Sequence, residues 1–161
     1  MKNAIILHGQ PSREEYYDTT LPSESNSHWL PWLQAQLIKA GVKADTPEMP
    51  NSYEPDWDTW VHEVERFEIG PQTVIVGHSC GGGFWVKYLS LHPELRVGKV
   101  VLVAPWMDPD GDETNGFFKD YTIDPELVTR TAGITIFSSD NDMGNVLKTV
   151  AALRETIKDI E

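Results

Sequence analysis

The feature that most restricts what this chain can become is the run Thr73-Val74-Ile75-Val76-Gly77-His78-Ser79-Cys80-Gly81-Gly82-Gly83. A short apolar stretch passes without a break into Gly-x-Ser-x-Gly and then into residues that can be helical. This order predicts a nucleophile elbow, in which a buried strand turns sharply into a helix and holds a serine at the tip of the turn. Glycine is required at 77 and 81 because a Cβ at either position would meet the neighbouring strand or helix. The helix N-terminus behind Ser79 offers free N–H groups and a positive dipole end, the setting in which an oxyanion is stabilised.

The flanking pattern alternates strands with helices. Residues 3–8, 42–46, 73–77, 99–104 and 133–138 read as short buried strands. Residues 28–40, 56–68, 80–91 and the segment ending near Ile160 carry apolar side chains at helical spacing. Asn26 or Ser27 is placed to cap the first of these helices and Gly41 to end it. Residues 10–27 and 105–123 read as loops, and a short helix is expected after Asp124. Alternation of this kind predicts an α/β fold, a mainly parallel sheet with helices on both faces. A length of 161 residues fits one domain over 1–161.

Composition narrows the functional classes. The net charge of −12 disfavours nucleic acid and anionic membrane surfaces as partners. The apolar runs are short, so no transmembrane helix is expected. Met1–Leu7 reads as a first strand rather than a leader. The single cysteine excludes an intrachain disulfide and fits a reducing, cytoplasmic setting. No cofactor is expected and no metal: the histidines lack ligand spacing. The calcium-loop-like run from Asp108 has Lys119 where a bidentate Glu is needed, so it reads as a solvated turn.

A serine hydroxyl needs a base and a carboxylate that orients the base. The acid is expected after a later strand, in Ser138-Ser139-Asp140-Asn141-Asp142, where either Asp140 or Asp142 fits. The oxyanion donors are expected to be the N–H of Cys80 and that of Gln10, in the loop after the first strand. His8, Gly9 and Trp106 are candidate pocket residues. Among possible bases, His78 is expected to point away from Ser79 and His8 to shape its loop. His28 is expected to cap or pack a helix, His62 to lie on a helix surface and His92 to end the elbow helix. The Cys80 thiol is expected to be packed.

Several pieces together carry a family resemblance: Ile5-Ile6-Leu7-His8-Gly9, His28-Trp29-Leu30-Pro31-Trp32-Leu33, Val76-Gly77-His78-Ser79-Cys80-Gly81, Val101-Leu102-Val103-Ala104-Pro105 and Ser139-x-x-Asp142. In this order the chain resembles the retinoblastoma-binding-protein-nine-like, or YdeN-type, serine hydrolases of the α/β-hydrolase superfamily. The resemblance implies a strand order of 2-1-3-4-5, Ser79 as nucleophile and Asp142 as acid. It implies a small ester or acyl compound as substrate. It also places the catalytic histidine in a Gly-His-Phe-like segment after a further strand, whereas no histidine follows His92 here. The expectation is therefore that the last strand, histidine loop and helix are absent, through shortening of a longer hydrolase or loss of the base. Two rival readings go with that expectation. One is a hydrolase-fold protein-binding module. The other is a chain whose 133–138 strand edge seeks a partner, giving a homodimer.

Overall fold

The computed structural model describes residues 2–161. Five parallel strands form one sheet: β1 (Asn3–Leu7), β2 (Lys43–Asp45), β3 (Thr73–His78), β4 (Val100–Val103) and β5 (Ile134–Phe137), in the order β2-β1-β3-β4-β5. This is the expected order. Five helices connect and flank them: α1 (Arg13–Tyr17), α2 (Leu30–Lys39), α3 (Trp57–Val64), α4 (Cys80–Leu91) and α5 (Gly144–Thr156). Among the described residues no helix is long and apolar enough to cross a membrane.

Alternation along the strands divides the core in two. On one face Ile5, Leu7, Ile75 and Leu102 join Trp60 of α3, Phe84 and Trp85 of α4 and Leu153 of α5 in the large cluster. On the other, Ile6 and Val76 pack with Leu30, against which the partly buried Trp29, Leu33 and Leu37 of the α2 region lie. Every crossover returns the chain to the same end of the sheet. The loops after β1, β3, β4 and β5 therefore gather at the carboxyl edge, where sites in open α/β sheets lie.

Several local expectations change. The segment 10–27 is not all loop. Ser12 and Glu15 form a reciprocal capping box, Glu15 N to Ser12 Oγ at 3.1 Å and Ser12 N to Glu15 Oε2 at 2.8 Å, which starts α1. A 3-10 turn follows at Glu24–Asn26. Helix α2 begins at Leu30, with Trp29 rather than Asn26 or Ser27 at its cap, and Pro31 in its first turn. The helix after Asp124 is a 3-10 turn at Leu127–Arg130. Helix α5 stops at Thr156, before Ile160. The β5 edge is not bare, because Glu161 N donates to Ile134 O (3.1 Å) and Ile136 N to Glu161 O (2.8 Å).

The approach of α4 to β3 is closest at Gly77. A Cβ built there lies 2.5 Å from the Gly82 Cα and 2.6 Å from the Gly81 carbonyl oxygen. Both are backbone atoms that cannot rotate away. Gly77→Ala is expected to lower the unfolding free energy by about 1–3 kcal/mol, the usual cost of overpacking. Urea denaturation with an unchanged midpoint would show that the contact can relax.

Candidate active site

Ser79 sits between β3 and α4 with φ 52° and ψ −121°, a conformation rarely adopted by a residue with a side chain. Its backbone is tied on all sides. The Ser79 N–H donates to Val103 O (2.9 Å), and its carbonyl accepts from Gly82 N (2.9 Å), Gly83 N (3.1 Å) and Trp106 N (3.1 Å). These bonds compensate the strained dihedrals and fix where the side chain emerges. Gly9 completes the fit, since a Cβ there would lie 3.0 Å from the Ser79 Cβ.

The two expected oxyanion donors stand at this point of the chain. Cys80 opens α4, and Gln10 follows Gly9 in the loop after β1. Neither backbone N–H donates to another group among the described residues. The Gln10 side chain is anchored by its Nε2, which donates to Tyr53 O at 3.0 Å, while its buried Oε1 lacks a partner. The Cys80 thiol is fully buried, and burial pushes its pKa far up. It stays protonated and packed in the core, as expected.

Asp142 borders a cavity of about 200 Å³ whose wall includes Ser79, His28, His78 and Gln10. Asp140 lies exposed in the same loop and does not border it. One Asp142 oxygen, Oδ1, accepts from Met143 N at 2.8 Å, which holds the carboxylate at the start of α5. A second cleft, of about 350 Å³, is bordered by Ser79, Gln10, Arg13, Trp106, Met143 and Asn145. Trp106 lines this cleft, and its indole N–H is buried and unpartnered.

The histidines require corrections. His8 is buried and is no pocket residue. Its Nδ1 donates to Gly9 O (2.8 Å), and its Nε2 accepts from Met49 N (2.8 Å), so both ring nitrogens serve the backbone. Burial lowers its pKa. His78 borders the same cavity as Ser79. Its Nδ1 is buried without a partner, and its ring meets those of His28 and Trp29 at 5.2 and 5.7 Å. Burial, with smaller contributions from His28 and His8, lowers its pKa to about 4, against the pull of Asp142. His28 neither caps nor packs α2. It is exposed, at φ 56°, on the wall shared by Ser79 and Asp142. The signal for it was topological: a helix that follows β1 starts at the carboxyl edge of the sheet, so residues just before it face the site.

The metal expectation concerns the loop after β4. Asp108, Asp112 and Glu113 bring ligand atoms within 4.8 Å of one another. The Asp108 carboxylate is already occupied, accepting from Gly111 N, Asp112 N, Glu113 N, Thr114 N and the Thr114 hydroxyl, the last at 2.6 Å. It acts as the organiser of a turn.

A parallel sheet ordered 2-1-3-4-5 with a serine at a strained turn after its central strand is the α/β-hydrolase fold. The serine hydrolase family model matches residues 21–157. The chain belongs to that family. It is 33% identical over 107 residues to YdeN of Bacillus subtilis (strain 168), a match covering 64% of this chain and 50% of that protein. The matched segment thus spans about half the length of that relative. The crystal structure of the B. subtilis ydeN gene product superimposes with a TM-score of 0.73 at 21% identity, covering 100% of this chain and 85% of that one. Est1E from Butyrivibrio proteoclasticus, solved with ferulic acid bound, gives a TM-score of 0.64 at 13% identity, covering 100% and 78%. These two structures show the fold.

The low pKa of His78 makes stability depend on pH. In the unfolded chain its imidazole takes a proton near pH 6.5; in the folded protein it does so only near pH 4. Between these values the unfolded state binds more protons, so stability falls as pH falls. The loss attributable to His78 is expected to reach at most about 3 kcal/mol by pH 4. Urea titrations at pH 7 and pH 4.5 with His78→Gln measure it; an equally steep loss in the variant would assign the effect elsewhere, for example to His8.

Proposed function

We propose that this chain is a serine hydrolase that cleaves a small carboxylic ester or related acyl compound through an acyl-enzyme on Ser79. The observation that carries this reading is the strained Ser79, with the unengaged N–H groups of Cys80 and Gln10 near it in the fold and Asp142 on the wall of the same cavity. In this mechanism Ser79 Oγ attacks the carbonyl carbon as its proton passes to an imidazole. The carbonyl oxygen takes up negative charge against the two N–H groups. The C–O bond to the alcohol then breaks, and the imidazole gives its proton to the departing oxygen. Water, deprotonated in the same way, attacks the acyl carbon, releases the acid and restores Ser79. Asp142 orients the imidazole and stabilises its charged form.

Within the 161 residues the imidazole best disposed for this is His28. His8 has both nitrogens engaged, and His78 is too acidic when protonated to hold the proton of a serine at neutral pH. His92 bonds Tyr88 O through Nδ1 at the far end of α4, and His62 lies exposed on α3. Only His28 combines exposure on the Ser79 cavity with two unengaged ring nitrogens among the described residues.

Intact mass after incubation with a fluorophosphonate tests the reading. One adduct is expected in the wild type and none in Ser79→Ala. Asp142→Asn is expected to slow ester turnover by up to about 10⁴-fold. Absence of an adduct in the wild type would overturn the reading for this chain. Labelling that persists at the same rate in His28→Ala would take the base role from His28.

A further inference from the structure

We propose that Arg13 is a specificity-determining residue that selects substrates carrying one carboxylate in addition to the scissile acyl group. The proposal rests on the reading of Ser79 as nucleophile and deepens it by naming a substrate class.

Arg13 borders the 350 Å³ cleft that contains Ser79, and also an adjoining cavity of about 290 Å³ walled by Tyr53, Glu54 and Glu113. Its guanidinium carbon lies 6.0 Å from the ring centre of Tyr17 and 5.9 Å from that of Tyr53. The two rings are joined by a hydroxyl–hydroxyl hydrogen bond of 3.3 Å, so the cation has a fixed aromatic seat. Aromatic faces hold a guanidinium through its plane and leave its N–H edge free.

That edge is unused. Among the described residues no carboxylate lies within ion-pair distance of Arg13, and it donates no hydrogen bond. This occurs in a chain with 25 acidic residues against 13 lysines and arginines. The two glutamates on the same wall are engaged instead by amides, Glu54 by Asn115 Nδ2 (3.4 Å) and Glu113 by Asn145 Nδ2 (3.2 Å). A bidentate carboxylate is the partner whose geometry matches the free fork. The nearby glutamates oppose a second negative charge, so the matched ligand is a monoanion. The other end of such a ligand extends along the cleft toward Ser79, where Gln10 and Trp106 contribute wall. Monoesters of short dicarboxylic acids have this form.

Calorimetric titration of the Ser79→Ala protein with monomethyl glutarate and with dimethyl glutarate tests the proposal without turnover. The monoanion is expected to bind at least about tenfold more tightly than the neutral diester, the range of a charge-assisted hydrogen bond. Arg13→Gln in the same background should erase the difference, and Arg13→Lys should keep part of it. Equal binding of the two esters, binding of neither, or a preference that survives Arg13→Gln would overturn it. Fluorophosphonate labelling of the wild type reports separately on Ser79. Labelling without charge selection sinks only the role of Arg13, and charge selection without labelling sinks only the hydrolytic reading.

Discussion

The carbonyl and amide of Ser79 hold this site together. A residue at φ 52° has left the strand but not yet joined the helix, so both of its backbone groups would be orphaned without dedicated partners. Val103 O takes the amide proton, and Gly82, Gly83 and Trp106 donate to the carbonyl. Those four partners come from the end of β4, the first turn of α4 and the loop after β4. One strained residue is thereby fastened to each element that flanks it, and the cleft inherits its shape from that fastening. The glycines make the arrangement sterically possible, because the Cα of Gly82 packs where a Cβ at 77 would stand.

The segment 105–123 illustrates how an acidic, irregular stretch becomes a wall. Two side chains carry most of its order. Asp108 collects the backbone N–H groups of residues 111–114 on one carboxylate. Lys87 of α4 is buried, donates to Phe117 O (2.7 Å) and Lys119 O (2.8 Å), and lies over the Trp57 ring at 4.2 Å. Burial lowers the Lys87 pKa, yet the two carbonyls and the ring face compensate much of the desolvation of its charge. Trp106 and Glu113 are presented to the cleft by a loop that has no strand or helix of its own.

The strand positions, the elbow and the helix faces were legible because each is written in contiguous residues: short apolar runs, glycines around Ser79, aromatics at helical spacing. The order of the strands came only from the family resemblance. What escaped was carried by contacts between distant segments. The capping box at Ser12 and Glu15 could have been read from spacing but was hidden in a Ser- and Pro-rich stretch. His28 and His78 meet only because α2 starts beside the end of β3. The seat of Arg13 needs Tyr53, forty residues away, and nothing near Arg13 in the sequence marks that partner. Position after the strand leaves Asp140 and Asp142 equal, and only the Ser139-x-x-Asp142 resemblance favours Asp142; in the fold Asp142 borders the cavity and Asp140 lies in solvent.

Three consecutive residues at the elbow show how finely a backbone can divide labour. His78 ends β3 and projects to the face of Trp29 and His28, where burial keeps its imidazole neutral over the neutral range. Cys80 begins α4 and sends its thiol into the large core, where burial keeps it protonated. Ser79, between them, is directed into the cleft by dihedrals that belong to neither strand nor helix. A continued strand would alternate these side chains between two faces, and a continued helix would rotate them by 100° each. The positive φ interrupts both patterns and opens a third direction. The thiol, intrinsically a stronger nucleophile than the neighbouring hydroxyl, is thereby withheld from the cleft. The Cys80 backbone N–H stays unengaged at the start of α4, while the Ser79 hydroxyl borders the cleft.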